Sequence, residues 1–102
     1  MNKIFKYFLD LSELQEIKLP IKAEILAIQD QSDSHKISQI QLPLLCLWAI
    51  VDPEETKTEK RIIRIFGTGH EIPERRSDLK YIDTVQQFQG HIVWHVFEVI
   101  KK

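Results

Sequence analysis

Isoleucine, valine, leucine and aromatic residues arrive in this chain in seven short bursts, each closed by turn-forming residues, a punctuation that belongs to strands rather than helices. The bursts run from Ile4 to Leu9, Gln15 to Leu19, Ala23 to Gln29, Leu44 to Val51, Lys60 to Phe66, Tyr81 to Phe88 and His91 to Ile100. Ser12 and Gln15 have the spacing of a capping box, but too few residues follow to sustain a helix, so that segment reads as a turn. The short link through Pro20 predicts that the second and third strands pair. Leu44 to Val51 is apolar on both faces, as a central strand must be, and Asp52-Pro53 then turns the chain. Gln89-Gly90 reads as the hairpin turn between the last two strands, with Gly90 supplying a positive φ. Together these features predict an all-β, mainly antiparallel fold: a small β-sandwich or partly open barrel of about seven strands.

A chain of 102 residues buries enough apolar surface for one core, so residues 1–102 are expected to form a single domain. The polar stretch at about 30–41 has no sustained period and is expected to be a mobile loop. An apolar fraction of 43% places the chain among globular proteins rather than disordered ones. A formal net charge of -1 provides no long-range field for a nucleic-acid polymer or an anionic membrane, so neither DNA nor RNA binding is expected. The longest apolar run, Leu44 to Val51, is too short to span a bilayer, and the amino terminus lacks the apolar region of a signal peptide. Cys46 is the only cysteine, which excludes an intrachain disulfide and favours a reducing, cytoplasmic location. Set among leucines with no base beside it in sequence, it reads as a small core residue rather than a nucleophile.

Motifs that carry catalysis or cofactors are missing from the sequence: no Walker loop, HExxH, paired CxxC, GxSxG or dinucleotide fingerprint occurs. The four histidines, at 35, 70, 91 and 95, have no metal-ligand spacing. No cofactor, metal or catalytic set is therefore expected. The most unusual segment is Gly67-Thr68-Gly69-His70, directly after a strand. Its successive N–H groups can cradle a phosphate, helped by the Thr68 hydroxyl and the His70 imidazole, or the glycines can simply reverse the chain with His70 packed beside them. Arg64 lies mid-strand, where a charge requires solvent or a partner. Trp48 and Trp94 fill a core by default and can otherwise stack a base. Arg75 and Arg76 lie in a loop with Glu74 and Asp78, as a locally neutralised solvated pair or as a phosphate clamp.

Several segments, taken in order, resemble a family of small uncharacterised proteins carried by bacteriophages and prophages. They are Gln15 to Pro20, Ala23 to Gln29, Cys46-Leu47-Trp48-Ala49 with Val51-Asp52-Pro53, Arg64 with Gly67-Thr68-Gly69-His70 and Ile72-Pro73, and Trp94-His95-Val96-Phe97-Glu98. The likeness covers nearly the whole chain and departs from the family pattern at 31–45, which is longer, and at Gln89-Gly90-His91. It implies an accessory protein at work in the cytoplasm of an infected or lysogenic bacterium, where one recurrent strategy is to bind a nucleotide second messenger stoichiometrically.

On this reading the chain is a non-catalytic sponge for a cyclic oligonucleotide or cyclic ADP-ribose type of signal, countering host defence. Its expected ligand-binding residues are Arg64, Gly67, Thr68, Gly69, His70, Arg76, Trp94 and His95. A second reading is an interaction module that blocks a host or phage protein through a β edge, because nothing after the apolar strand His91 to Ile100 is left to cover it. A third is a phosphodiesterase using His70 or His95 as acid or base. The strands at 44–51 and 92–100 have more apolar surface than a two-layer domain of this size covers, which predicts at least a homodimer.

Overall fold

Each of the seven bursts is a strand in a computed structural model of the chain, which describes residues 1–30 and 45–100. The strands are β1 (Lys3–Leu9), β2 (Leu14–Pro20), β3 (Glu24–Asp30), β4 (Leu45–Val51), β5 (Thr58–Gly67), β6 (Leu79–Gln87) and β7 (Ile92–Val99). They form two antiparallel sheets, one ordered β1-β4-β3 and the other β2-β5-β7-β6, so the fold is all-β. Among the described residues the only helical element is a single 3-10 turn, Arg76–Asp78. The expected mobile loop at 30–41 lies outside the described residues apart from Asp30, which ends β3.

Alternation sorts each strand into an inner and an outer set. Leu45, Leu47, Ala49 and Val51 of β4 face Ile63 and Ile65 of β5 and Val96 of β7, with Leu9, Leu19, Ile28 and Val85 completing the buried cluster. β4 is central, as its apolar run predicts.

Two expectations about pairing are overturned. β2 and β3 do not form a hairpin: β2 pairs with β5 and β3 with β4, in different sheets. The link between them is a turn in which Ala23 N–H donates to Pro20 O at 3.1 Å and Lys22 has φ 68°, while Ile21 N–H goes to Lys57 O. This turn carries the chain from one layer to the other. Nor is β7 an edge strand. It lies between β5 and β6, hydrogen-bonded on both sides, so its two apolar faces belong to an interior strand and the edges of its sheet are β2 and β6. The hairpin joining β6 and β7 forms where expected, with Gly90 at φ 88°.

Among the described residues, two groups of side-chain hydrogen bonds tie the layers. On the β3–β6 side, a bulge between Tyr81 and Asp83 turns Asp83 toward edge strand β3, where its Oδ2 accepts the Ile28 N–H at 3.0 Å. An edge N–H turned inward would otherwise lack a partner. Gln87 continues this seam by donating to Asp30 Oδ1 at 3.1 Å and accepting from Trp94 Nε1 at 2.8 Å. The second tie is Arg61, whose guanidinium chelates Glu98 within the four-stranded sheet and donates through Nη1 to Ala23 O, just before β3, at 2.9 Å.

Candidate functional site

Because Ile63, Ile65 and Val96 point into the core, Ile62, Arg64 and Phe66 of β5 and Val93, His95, Phe97 and Val99 of β7 must line the outer face of the four-stranded sheet. The register sets Arg64 opposite Phe97 and Phe66 opposite His95. It also pairs β6 with β7 so that Tyr81 faces Phe97 and Thr84 faces His95. Two parallel rows result.

The first row is aromatic. Phe66 and Phe97 meet edge to face with centroids 5.8 Å apart, and Phe97 meets Tyr81 in the same way at 5.5 Å. These separations and steep angles are those of favourable edge-to-face pairs; Phe66 is buried, Phe97 half-buried and Tyr81 exposed. At one end the Arg64 guanidinium lies 4.9 Å over the Phe66 ring. Its charge is met by Glu74 from the connector after β5, with Nε to Oε2 at 2.6 Å. The mid-strand cation Arg64 thus has the partner that its position demanded.

The second row is polar. Thr68 Oγ1 lies 2.8 Å from His95 Nε2, His95 Nδ1 lies 3.2 Å from Thr84 Oγ1, and Thr84 Oγ1 lies 2.7 Å from the Tyr81 hydroxyl. A neutral imidazole has one donor and one acceptor nitrogen, so the three hydroxyls must orient in one direction along the row, and that direction reverses with the tautomer. The row can therefore present either a donor or an acceptor to a ligand. His95 itself is held between two threonines rather than beside a carboxylate.

The expected site residues divide between three places. Gly67, Thr68, His70 and Trp94 line one recess of about 270 Å³ together with His91. Within its turn, His70 N–H donates to Gly67 O at 3.1 Å and Gly67 N–H donates to His70 Nδ1 at 3.3 Å, so these two N–H groups are engaged inside the turn. The ring lies so close that a Cβ on Gly67 would come within 2.9 Å of His70 Cε1, and Gly69 takes φ 89°. Trp94 is on the inner face, bound to Gln87. Arg64 and His95 lie on the outer face, which Thr68 reaches through its hydroxyl. Arg76 is exposed in the 3-10 turn and lines neither. Glu74, Tyr81, Thr84 and Phe97, which complete the outer face, were not among the expected residues. Among the described residues no group of three or more His, Cys, Asp or Glu side chains is placed to hold a metal ion, and no helix is long and apolar enough to cross a membrane.

A family model described as a domain of unknown function (DUF7352) matches residues 1–102. No curated protein and no solved structure matches the chain.

Proposed function

We propose, starting from a chain that belongs to the DUF7352 family over residues 1–102, that it is a non-catalytic binding protein holding a nucleotide-type ligand on the outer face of the four-stranded sheet. The observation that carries this reading is the aromatic row Phe66–Phe97–Tyr81 beside the hydroxyl–imidazole row Thr68–His95–Thr84. Phe97 and Tyr81, the more exposed rings of the row, supply stacking surface for bases, and the adjacent row supplies donors and acceptors for sugar and phosphate oxygens. The phage-like segments support a role in sequestering a cyclic oligonucleotide or a cyclic ADP-ribose isomer in the cytoplasm of a bacterial host. Calorimetry against a panel of these ligands is the test, and Phe97→Ala and His95→Ala should each weaken binding by about tenfold, the value of one stacked ring or one buried polar contact. Absence of binding at millimolar ligand removes the reading. Ligand recovered unchanged after heat release separates holding from phosphodiester cleavage.

A specific observation also favours the β-edge reading, although not at the strand first expected. β1 is an edge strand that leaves Ile4, Phe5 and Phe8 exposed, and an apolar edge of this kind is a template for strand addition. If β1 is the working surface, Phe8→Glu abolishes capture of a stoichiometric protein partner while His95→Ala does not.

A further inference from the structure

On the same outer face, beyond Arg64, the rim of β2 and the β5–β7 pair enclose a recess of about 450 Å³ lined by Leu14, Gln15, Glu16, Ile62, Glu74 and Val99. Its volume falls within the roughly 300–1,000 Å³ typical of small-molecule sites. The recess is built by register: Glu16 pairs with Ile62 and Ile62 with Val99, so three strands contribute adjacent outward side chains. Apolar side chains from each of those strands, Leu14, Ile62 and Val99, give it walls suited to the faces of a flat ring.

The polar chemistry of the recess is one-sided. Its charged groups are both carboxylates, Glu16 and Glu74. Glu74 gives Oε2 to Arg64, while its Oε1 is shut off from solvent and accepts no hydrogen bond among the described residues. A buried acceptor left unpaired is unusual, and each one calls for an explanation. Because the Glu74 side chain itself lines the recess, a ligand seated there adjoins this carboxylate. A phosphate would be repelled there, whereas an amino group would be received.

We infer that this recess is a base subsite, in which Leu14, Ile62 and Val99 cover an amino-bearing nucleobase whose exocyclic amino group donates to Glu74 Oε1. The inference rests on the proposed nucleotide binding for its ligand class and places one base of that ligand beyond the aromatic row, on the far side of Arg64.

The test uses adenosine and purine riboside, which differ only by the amino group, titrated into the full chain with the methyl resonances of Leu14, Ile62 and Val99 as the readout. Adenosine is expected to shift these methyls and to bind at least about tenfold more tightly than purine riboside, as a hydrogen bond to a charged acceptor requires. Glu74→Gln keeps an acceptor for Arg64 but places a donor where Oε1 was, so the preference should fall to within about twofold while purine riboside binding is unchanged. No methyl shift with adenosine, equal affinities for the two nucleosides in the wild type, or a preference surviving Glu74→Gln would each overturn the inference. If that variant does not fold, the wild-type comparison still decides. Cyclic nucleotides that bind without moving these methyls would sink the base subsite and leave the proposed function standing. Adenosine bound in the recess when no cyclic nucleotide binds would do the reverse.

Discussion

Arg61 and Glu98 face inward with side chains only 16% and 9% exposed, and each is a cost to the fold without the other. The guanidinium is held more firmly protonated than an ordinary arginine, first by its hydrogen bond to Glu98, against the opposing effect of burial. Glu98→Ala should therefore destabilise the protein by about 3 kcal/mol, because it leaves a largely buried cation with only the longer, more exposed contact to Glu59 at 3.6 Å, whereas Arg61→Met with Glu98→Leu should recover most of that loss. Urea unfolding of Glu98→Ala, Arg61→Met, Glu98→Leu and the double variant checks this, and additive losses for Arg61→Met and Glu98→Leu would show that the pair is not coupled. Asp10 gives a smaller, pH-dependent effect. Its carboxyl is lowered from the ordinary value of 3.8, first by hydrogen bonding to the Ser12 side chain and then by the Ser12 N–H, which donates to Oδ1 at 2.7 Å. A lowered folded pKa means stability that is present above the unfolded value and lost as pH falls through the folded one. Stability should thus decline from near pH 4 downward, and Asp10→Asn should flatten that limb of a denaturation-against-pH series.

Among the elements, the β6–β7 hairpin holds the most conspicuous mismatch between residue and conformation. Gly90 N–H donates to Gln87 O at 3.1 Å, and the two residues between, Phe88 and Gln89, have φ 53° and 59°. Together with Gly90 at φ 88° they make three successive left-handed residues in the four-residue loop between Gln87 and Ile92, and such positions favour Asn and Gly. Phe88→Asn with Gln89→Gly should accordingly raise stability by about 1 kcal/mol in thermal or chemical melts. No gain would mean that the Phe88 side chain has a role in the folded state. The strands were legible because β-branched bursts bounded by turn residues have a local cause, and the hairpin because its turn lies between two such bursts. The β2–β3 pairing was misread for an equally physical reason. Period-two alternation tells which face a residue occupies and says nothing about which strand lies beside it, so a tight link at Pro20 to Ala23 can close a hairpin or cross between layers. The same hairpin held unread information about the site. Counting outward from residues 89–90 sets Thr84 opposite His95, and only the bulge at Tyr81 to Asp83 shifts the count by one beyond it. Glu74 had no such signal, since its pairing with Arg64 depends on how the connector folds back.

For the whole molecule, the unresolved balance is apolar surface. On the outer side of the three-stranded sheet, Ile4 and Phe8 are 58% and 60% exposed. The Lys6 ammonium spans Phe8 and Trp48 at 5.2 and 5.7 Å from their ring centroids and covers part of that surface with its stem. Cys46, on the same face by register, is buried, and burial pushes its thiol up from the usual value, against the opposing Lys6 charge. Contiguous apolar surface beside an exposed edge strand favours a self-complementary contact, and at least a dimer is the expected state. Light scattering coupled to size exclusion at micromolar concentration checks it. A single peak at 12.1 kDa, unchanged on tenfold concentration, would show the chain content as a monomer. If the dimer forms through β1, Phe8→Glu should return it to that mass. The interior position of β7 bears on how the chain is made. While a ribosome is still translating, β5 has only β2 for a ladder partner, and β6 has none in its own sheet until residues 92–99 emerge. The emerging polypeptide must therefore wait, with two open ladders, for β7 to slot between them, and acquisition of the native sheet follows synthesis of that strand.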